Sequence, residues 1–172
     1  MSEQAPAHFA RVFPDEGQAP ARLVAEYRAG GPRLREVIAG MDGPTLDARP
    51  IPGKMSTREV MSHVADSEQF LADRIKRAIA TDNPLLVGVN ESLYVDALHY
   101  GARDVGLQLA LVDVTRAQMA ADLDPLPEEA WSRTGVHTEV GILTVRQMVL
   151  HAIRHLELHV TAIEEKREAL GL

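Results

Sequence analysis

From Thr144 to the C-terminus, apolar side chains recur every three or four positions. This spacing places them on one face of an α-helix, and that face has to be buried against other helices. Thr144 precedes the first of them and is a residue type that caps helix N-termini. The chain must therefore adopt a fold in which long amphipathic helices pack together. The apolar stripe consists of Val145, Val149, Ala152, Leu156, Val160 and Ile163 and continues toward Leu170.

Two earlier segments have the same pattern and begin at clear caps. Ser56, with Glu59 three residues later, predicts a capping box that opens a helix ending near Ala80. Asp104 predicts the N-cap of a further helix, which ends before Pro125. The apolar stripes are Val60, Val64, Leu71, Ile75 and Ile79 in the first, and Val105, Leu109, Val112, Met119 and Leu123 in the second.

Residues 20–40 also have helical spacing, but Gly30, Gly31 and Pro32 interrupt it. Because glycine and proline both disfavour a helix interior, we predict a kinked or broken first helix. Four helices without a convincing strand pattern predict an all-α four-helix bundle. Trp131, in the irregular or short extended connection before the last helix, is expected to pack in its core.

The length of 172 residues fits a single domain. Residues 1–18 show no helical period and are expected to form a partly ordered N-terminal arm, so the bundle domain spans residues 19–172. The chain has neither a signal-peptide pattern at its start nor an uninterrupted apolar run of about 18 residues. We therefore expect a cytoplasmic protein without membrane contact.

The absence of cysteine and the net charge of −7 narrow the possible functions. Without cysteine there are no disulfides and no thiolate ligands, so any metal site has to use His, Asp or Glu. The acidic balance leaves no basic surface to neutralise phosphates, so we expect no nucleic-acid binding. Aromatic residues make up only 4% of the chain, which predicts a core of mainly aliphatic side chains.

Residues 84–103 are less periodic than the segments on either side. A loop with a short helix fits this pattern. The segment is either a plain connection, which we favour, or a lid. Its polar and aromatic residues are Asn90, Glu91, Tyr94, His99 and Tyr100.

The segment HAIRHLELH places His151, His155 and His159 four positions apart. Side chains at this spacing share one helical face with β-carbons about 5 to 6 Å apart, so two imidazoles can bind one ion at about 2.0 to 2.1 Å. Three consecutive histidines of one helix can hardly all bind it. The spacing alone leaves open which pair binds, and it leaves open that all three are solvated or hydrogen-bonded within the core.

A third ligand has to come from another helix, and His63 is the best candidate because it lies near the start of a long amphipathic helix. Three neutral imidazoles leave a position for water, as in catalytic rather than closed structural sites. Asp66 and Glu68 follow closely, but acidic residues on helices are more often surface charges, and we expect one to face solvent. Glu157 points away from the histidine face. No general base is assigned.

Two stretches resemble the DinB/YfiT-like superfamily of metal-binding four-helix bundles: RPIPGKMSTREVMSHVADSEQFLADRIKRAI and GILTVRQMVLHAIRHLELHVTAI. In that family a Gly-Lys-Trp-Ser-like turn opens the second helix, whose first histidine precedes Ala-Asp-x-Glu, and a late helix carries His-x-x-x-His. The resemblance covers about residues 20–165 and implies an up-down-down-up bundle. It also favours the later histidine pair, so the implied metal ligands are His63, His155 and His159.

This sequence departs from the family pattern at two positions. Met55 stands where the turn usually has tryptophan, which is expected to change packing only. His151 adds a histidine one turn before the expected pair. It is an alternative ligand, a pocket residue or a group that supports a ligand, and the sequence does not decide among these.

The resemblance implies a divalent metal, with zinc first, nickel next, and iron or manganese also compatible with imidazole ligands. It implies a metal-dependent enzyme that activates water or a low-molecular-weight thiol, hence a hydrolase or thiol transferase acting on a small molecule. One alternative is a non-catalytic metal-binding or stress-response interaction protein. Another is a helical dimerisation module with incidental histidines. We also expect a homodimer.

Overall fold

Four long helices dominate the computed structural model, which describes residues 17–172. They are α1 (Pro20–Val37), α3 (Thr57–Ala80), α5 (Val105–Leu123) and α6 (Val145–Leu170). Two short helices, α2 (Gly43–Asp47) and α4 (Ser92–Ala97), lie in the connections before and after α3. The arm expected over residues 1–18 lies outside the described residues except for its last two positions.

Contacts between the long helices show that the bundle runs up, down, down and up. The helix α1 is antiparallel to α5 and parallel to α6, whereas α3 is parallel to α5 and antiparallel to α6. Both α1 and α3 pack against α5 and α6. The predicted four-helix bundle is therefore confirmed. The contacts that give these directions are Arg28 with Asp124, Arg35 with Asp113, Arg33 with Glu157, Arg167 with Val37, Arg58 with Arg103, Lys76 with Gln118, and His63 with His155.

The predicted helix starts of α3, α5 and α6 are confirmed. The Ser56 side chain accepts a hydrogen bond from the Glu59 backbone N–H, and the Glu59 carboxylate accepts one from the Ser56 backbone N–H at 2.7 Å. Asp104 caps α5, and Thr144 caps α6. Because these caps satisfy backbone donors that a helix start would leave unpaired, they fix where each helix begins. They place His63 in the second turn of α3.

We predicted a kinked or broken first helix. The break is absent, because α1 continues through Gly30, Gly31 and Pro32. Both glycines are buried. A β-carbon on Gly30 would collide with the side chain of Arg116, and one on Gly31 would collide with Asp113. The glycines therefore permit the close approach of α5, and packing against α5 and α6 outweighs their low helix propensity.

A small three-stranded sheet forms from the connection after α3 and the connection before α6, although we predicted no sheet. The strand β1 (Leu85–Leu86) is parallel to β2 (Thr134–His137), and β2 is antiparallel to β3 (Gly141–Thr144). A two-residue strand has no readable alternation, and its partner lies far along the chain. The expectation of a short extended connection before α6 was correct, but its pairing into a sheet was missed.

The core is mainly aliphatic, as the low aromatic content predicted. Trp131 is buried in it, with 1% of its surface exposed. Met55, which replaces the usual tryptophan of the turn, packs against a second buried cluster that includes Val60, Val64 and Leu156. In the described part of the chain, no helix is long and apolar enough to cross a lipid bilayer.

Candidate metal centre

Three histidines from two helices converge between α3 and α6. His63 lies in the second turn of α3, while His155 and His159 lie one turn apart on α6. Because these two helices are antiparallel neighbours, the imidazole from α3 meets the pair from α6. The structure thus brings together all three residues that the resemblance implied as ligands.

The ring nitrogens lie at separations that suit a shared ion. Nε2 of His155 lies 3.2 Å from Nε2 of His63 and 3.2 Å from Nε2 of His159. One ligand atom from each residue lies within 4.8 Å of the other two. Two nitrogens bound tetrahedrally at about 2.0 to 2.1 Å from one ion are about 3.3 Å apart. The residues therefore fit a divalent metal.

Burial keeps these imidazoles in the neutral form that binds metals. It lowers the pKa of His63, although the nearby carboxylates of Glu91 and Asp66 partly oppose the shift. Burial, with positive charge on His63 and Lys166 as a smaller cause, lowers the pKa of His159 to about 3. The pKa of His155 lies well below its usual value, again chiefly because of burial. Protons therefore compete weakly for these nitrogens at neutral pH.

His155 has one ring nitrogen without a partner. Its Nδ1 atom is buried and, among the described residues, accepts or donates no hydrogen bond. A buried polar atom left unpaired costs about 1 to 3 kcal/mol, so such atoms concentrate where another role requires them. Here the opposite nitrogen, Nε2, faces both other imidazoles, which is the orientation that metal binding requires.

His151 stays outside the cluster. Its ring centroid lies 6.0 Å from that of His155, compared with 4.6 Å between His155 and His159. It contributes no atom to the group of mutually close nitrogens. Of the two pairs that the spacing left open, the structure brings the later one to His63.

Glu91 is the one acidic side chain that reaches the histidines in the described structure, and sequence reasoning did not single it out as a site residue. Its Oε2 atom lies 3.7 Å from Nε2 of His63. The residue directly precedes α4, in the segment predicted as a loop with a short helix. Because this loop has no helical or strand period, the sequence does not show which residues the Glu91 side chain contacts.

Asp66 is buried, although acidic residues on helices are more often surface charges. Its carboxylate accepts hydrogen bonds of 2.8 Å from the Tyr100 hydroxyl and from the Arg103 guanidinium. Burial and the contact with Asp66 raise the pKa of Tyr100. These partners come from the segment between α4 and α5, so Asp66 ties that segment to the histidine-bearing helix.

Glu68 is also buried, so the expectation that one of the two acids faces solvent is wrong. It accepts a hydrogen bond of 2.5 Å from Arg116 of α5 and one of 3.2 Å from the Tyr27 hydroxyl of α1. Arg116 also donates to the backbone carbonyls of Tyr27 and Ala152, each at 2.8 Å. One buried guanidinium therefore joins all four long helices close to the histidines. Glu157, as predicted, points elsewhere and pairs with Arg33.

Comparison with known proteins identifies one matching family and two sequence relatives that carry the same description. Residues 5–163 match the family model described as the DinB superfamily. A protein of Oceanobacillus iheyensis, named "Putative metal-dependent hydrolase", is 24% identical over 139 residues, which cover 78% of this chain and 80% of that protein. A protein of the same description from Bacillus licheniformis is 25% identical over 139 residues, covering 80% of this chain and 79% of that protein.

Solved structures share the fold. YfiT from Bacillus subtilis, described as "a probable metal-dependent hydrolase with an unusual four-helix bundle topology", superposes with a TM-score of 0.86 at 20% identity over 92% of this chain and 93% of its own. The mycothiol-dependent maleylpyruvate isomerase superposes with a TM-score of 0.68 at 12% identity over 84% of this chain and 60% of its own. At these identities the likeness concerns the fold.

Proposed function

The chain belongs to the DinB superfamily, and from this premise we propose that it is a metal-dependent enzyme in which His63, His155 and His159 hold one divalent ion. The observation that carries the proposal is the convergence of three imidazoles from two helices, with Nε2 of His155 at 3.2 Å from Nε2 of each of the other two. Bound there, the ion supplies Lewis-acid activation of water or of a low-molecular-weight thiol.

The protein residues supply the geometry of this centre. The caps at Ser56 and Thr144 fix where α3 and α6 begin. Arg116 donates hydrogen bonds to Glu68 of α3 and to the Ala152 carbonyl of α6, and so joins the two helices next to the histidines. Three protein ligands leave one position of a tetrahedral ion for an exchangeable group, as in catalytic zinc sites.

Zinc is the metal we propose first and nickel second. Three imidazoles without a thiolate or a mandatory carboxylate suit both ions, and also suit iron. The two sequence relatives are named as metal-dependent hydrolases, which supports activation of water. The structural similarity to a mycothiol-dependent isomerase supports a thiol as the second possibility. A small-molecule substrate and a homodimer remain predictions of the sequence.

A non-catalytic metal-binding protein is the second candidate, and one observation favours it. The Glu91 carboxylate lies 3.7 Å from Nε2 of His63, beside the histidine cluster, and is the acidic group that we propose as a fourth ligand in this case. A site closed by four protein ligands is typical of structural metal centres. The two candidates therefore differ in whether the ligand at the fourth coordination position of the ion can be exchanged.

Metal analysis tests the proposal directly. Protein purified without added metal, and protein reconstituted with zinc or nickel, is analysed for bound metal beside His63→Ala, His155→Ala and His159→Ala variants. We expect about one ion per chain, lost in each variant. His151→Ala is the matched control, because it removes an imidazole from the same face of α6 outside the cluster, and it should retain the ion. Absence of metal after reconstitution would refute the proposal.

Measurements of enzymatic activity then distinguish the two candidate functions. The metal-loaded protein is screened for hydrolysis and for thiol transfer, with the same protein after chelation as the blank. Activity that disappears with the metal and returns on its addition supports the enzyme. A confirmed activity that chelation leaves unchanged would exclude the metal from the reaction.

A further inference from the structure

We propose that the outward side of α5 pairs two copies of this chain through an antiparallel helix contact centred on Val114. The inference goes beyond the metal centre, because α5 carries none of the three histidines, and it assigns a specific surface to the expected homodimer. This surface, the α5 seam, consists of Leu107, Leu111, Val114, Gln118 and Ala121.

The spacing and exposure of the α5 seam are the first observation. Its five positions follow one another at intervals of four, three, four and three residues, which is the spacing of a coiled-coil contact. Leu107 and Val114 are 64% and 67% exposed, so the core of the bundle does not cover them. The helix α5 therefore has a second apolar stripe on its solvent side, besides the stripe that it buries in the bundle.

The five positions of the α5 seam carry no charged side chain, in contrast with the solvent sides of the other long helices. Exposed charged residues occur on α1, α3 and α6, for example Arg28, Asp73 and Glu164. The outer side of a surface helix is usually charged or polar, and contiguous apolar surface marks contact sites. The outer stripe of α5 thus has the character of a helix–helix contact.

The charge of the chain favours an identical copy as the occupant. The net charge is −7, so two copies repel each other except where they meet at an uncharged surface. The carboxylates of Asp113 and Asp124, on the side of α5 toward α1, are each paired with an arginine of that helix. A basic partner helix would meet no carboxylate at the seam positions, whereas a second seam needs none.

The order of side-chain sizes along α5 selects the direction of pairing. The leucines of the seam lie toward its N-terminal end, and Ala121 lies at its C-terminal end. In an antiparallel pair centred on Val114, Leu107 of each copy lies opposite Ala121 of the other, so that large side chains fill the space beside small ones. A parallel pair would set leucine against leucine and alanine against alanine, and would leave a gap at one end. The antiparallel contact uses the same surface twice and closes as a dimer.

The extent of the α5 seam sets the expected strength of the contact. From Leu107 to Ala121 the helix rises by about 21 Å, and a helix with its side chains is about 10 to 12 Å wide. Such a strip supplies only part of the roughly 800 Å² that each partner buries in a stable complex. Neighbouring side chains such as Lys76 of α3, which donates to Gln118 at 3.4 Å, extend the surface. We therefore expect a dimer that dissociates at micromolar concentrations.

Sedimentation velocity of the full chain tests the contact. We expect the native chain to be mostly monomeric at about 1 μM and mostly dimeric at about 300 μM. Val114→Glu sets two carboxylates against each other on the two-fold axis, and we expect at least about tenfold weaker self-association. The matched control is Leu158→Glu, at a 65% exposed leucine of α6, which should dimerise as the native chain does. Circular dichroism checks that both variants keep the helical fold.

Introduced thiols test the direction of pairing. Because the chain has no cysteine, every cross-link reports on the introduced residues alone. Under mild oxidation Val114→Cys should give a disulfide-linked dimer, since its two copies meet at the axis. Leu107→Cys should not, because its two copies lie about 21 Å apart in the antiparallel pair, beyond the reach of a disulfide. The double variant Leu107→Cys/Ala121→Cys should cross-link again, as seen by non-reducing gel electrophoresis.

Three results would overturn the inference. A native chain that stays monomeric at about 300 μM would exclude a second copy as the occupant at such concentrations. Equal weakening by Val114→Glu and Leu158→Glu, or none by either, would exclude the α5 seam as the contact. Cross-linking of Leu107→Cys alone would exclude the antiparallel direction. None of these results bears on the proposed function, which stands or falls with metal binding by the three histidines.

Discussion

Nη2 of Arg116 lies 2.5 Å from Oε1 of Glu68, and the two side chains are 2% and 0% exposed. The same guanidinium stacks over the ring of Tyr27, with Cζ 4.4 Å from its centroid. A buried ion pair of this kind is strongly coupled, because removal of one partner leaves the other charged group without compensation.

Arg116→Met should therefore destabilise the protein more than removal of both partners does. We expect a loss of about 3 to 5 kcal/mol in the free energy of unfolding for Arg116→Met, and a much smaller loss for the double variant Arg116→Met/Glu68→Leu. Urea denaturation measures both values. A double variant that is as unstable as the single one would show that packing, rather than the isolated Glu68 charge, sets the cost.

Gly30→Ala should destabilise the bundle although alanine is the better helix former. The added β-carbon would collide with the guanidinium of Arg116, whereas Gly43→Ala adds its β-carbon in open space. We expect a loss of about 1 to 3 kcal/mol for Gly30→Ala and a change within about 0.5 kcal/mol for Gly43→Ala. Thermal unfolding of the two variants provides the comparison. Equal stabilities would mean that α5 moves away at little cost.

The metal-free protein should lose stability as the pH falls below about 6.5. Burial lowers the folded-state pKa of His63, His155 and His159, so the unfolded chain takes up protons first, near the ordinary histidine pKa of 6.5. The stabilising contribution is complete above pH 6.5 and is lost progressively on acidification, toward the pKa of about 3 for His159.

The slope of stability against pH measures this effect. Each such histidine contributes at most about 1.4 kcal/mol per pH unit, so His159→Leu should flatten the dependence between pH 6.5 and 4.5. His151→Leu removes a histidine outside the cluster and provides the comparison in the same titration of melting temperatures. An unchanged slope in His159→Leu would contradict the neutral state assigned to this imidazole.

Zinc should raise the melting temperature of the native chain and of His151→Ala, but not that of His63→Ala. An ion that binds only the folded state stabilises it by about 4 kcal/mol at a free concentration 1,000 times its dissociation constant. Thermal scans with and without zinc, followed by a chelator, give the readout. Equal stabilisation of all three proteins would place the binding site elsewhere.

The starts of α3, α5 and α6 and the pairing of His155 with His159 could be predicted from the sequence, because both signals are local. Apolar periodicity and caps such as Ser56 and Thr144 depend on residues within two turns of each other. His155 and His159 share a helix. The resemblance then added His63 and the bundle topology, which spacing alone left open.

Most of the missed features depend on partners distant in sequence. Asp66 and Glu68 are buried because Arg103 and Arg116 reach them from other elements. The helix α1 continues through Gly30 because Arg116 fills the space beside it. Arg116 did have a local signal, since it stands in register with Val112 and Met119 on the buried face of α5. An arginine inside an apolar stripe predicts a buried charge that needs an acidic partner.

The distance along the chain between His63 and His155 has a consequence for folding. An ion held by both would join residues 92 positions apart in a protein that has no cysteine. It would close a long loop of the unfolded chain, as a disulfide does, and the entropic restriction grows with the length of the loop closed. Unlike a disulfide, such a cross-link can form in a reducing environment and is reversed by depletion of the metal.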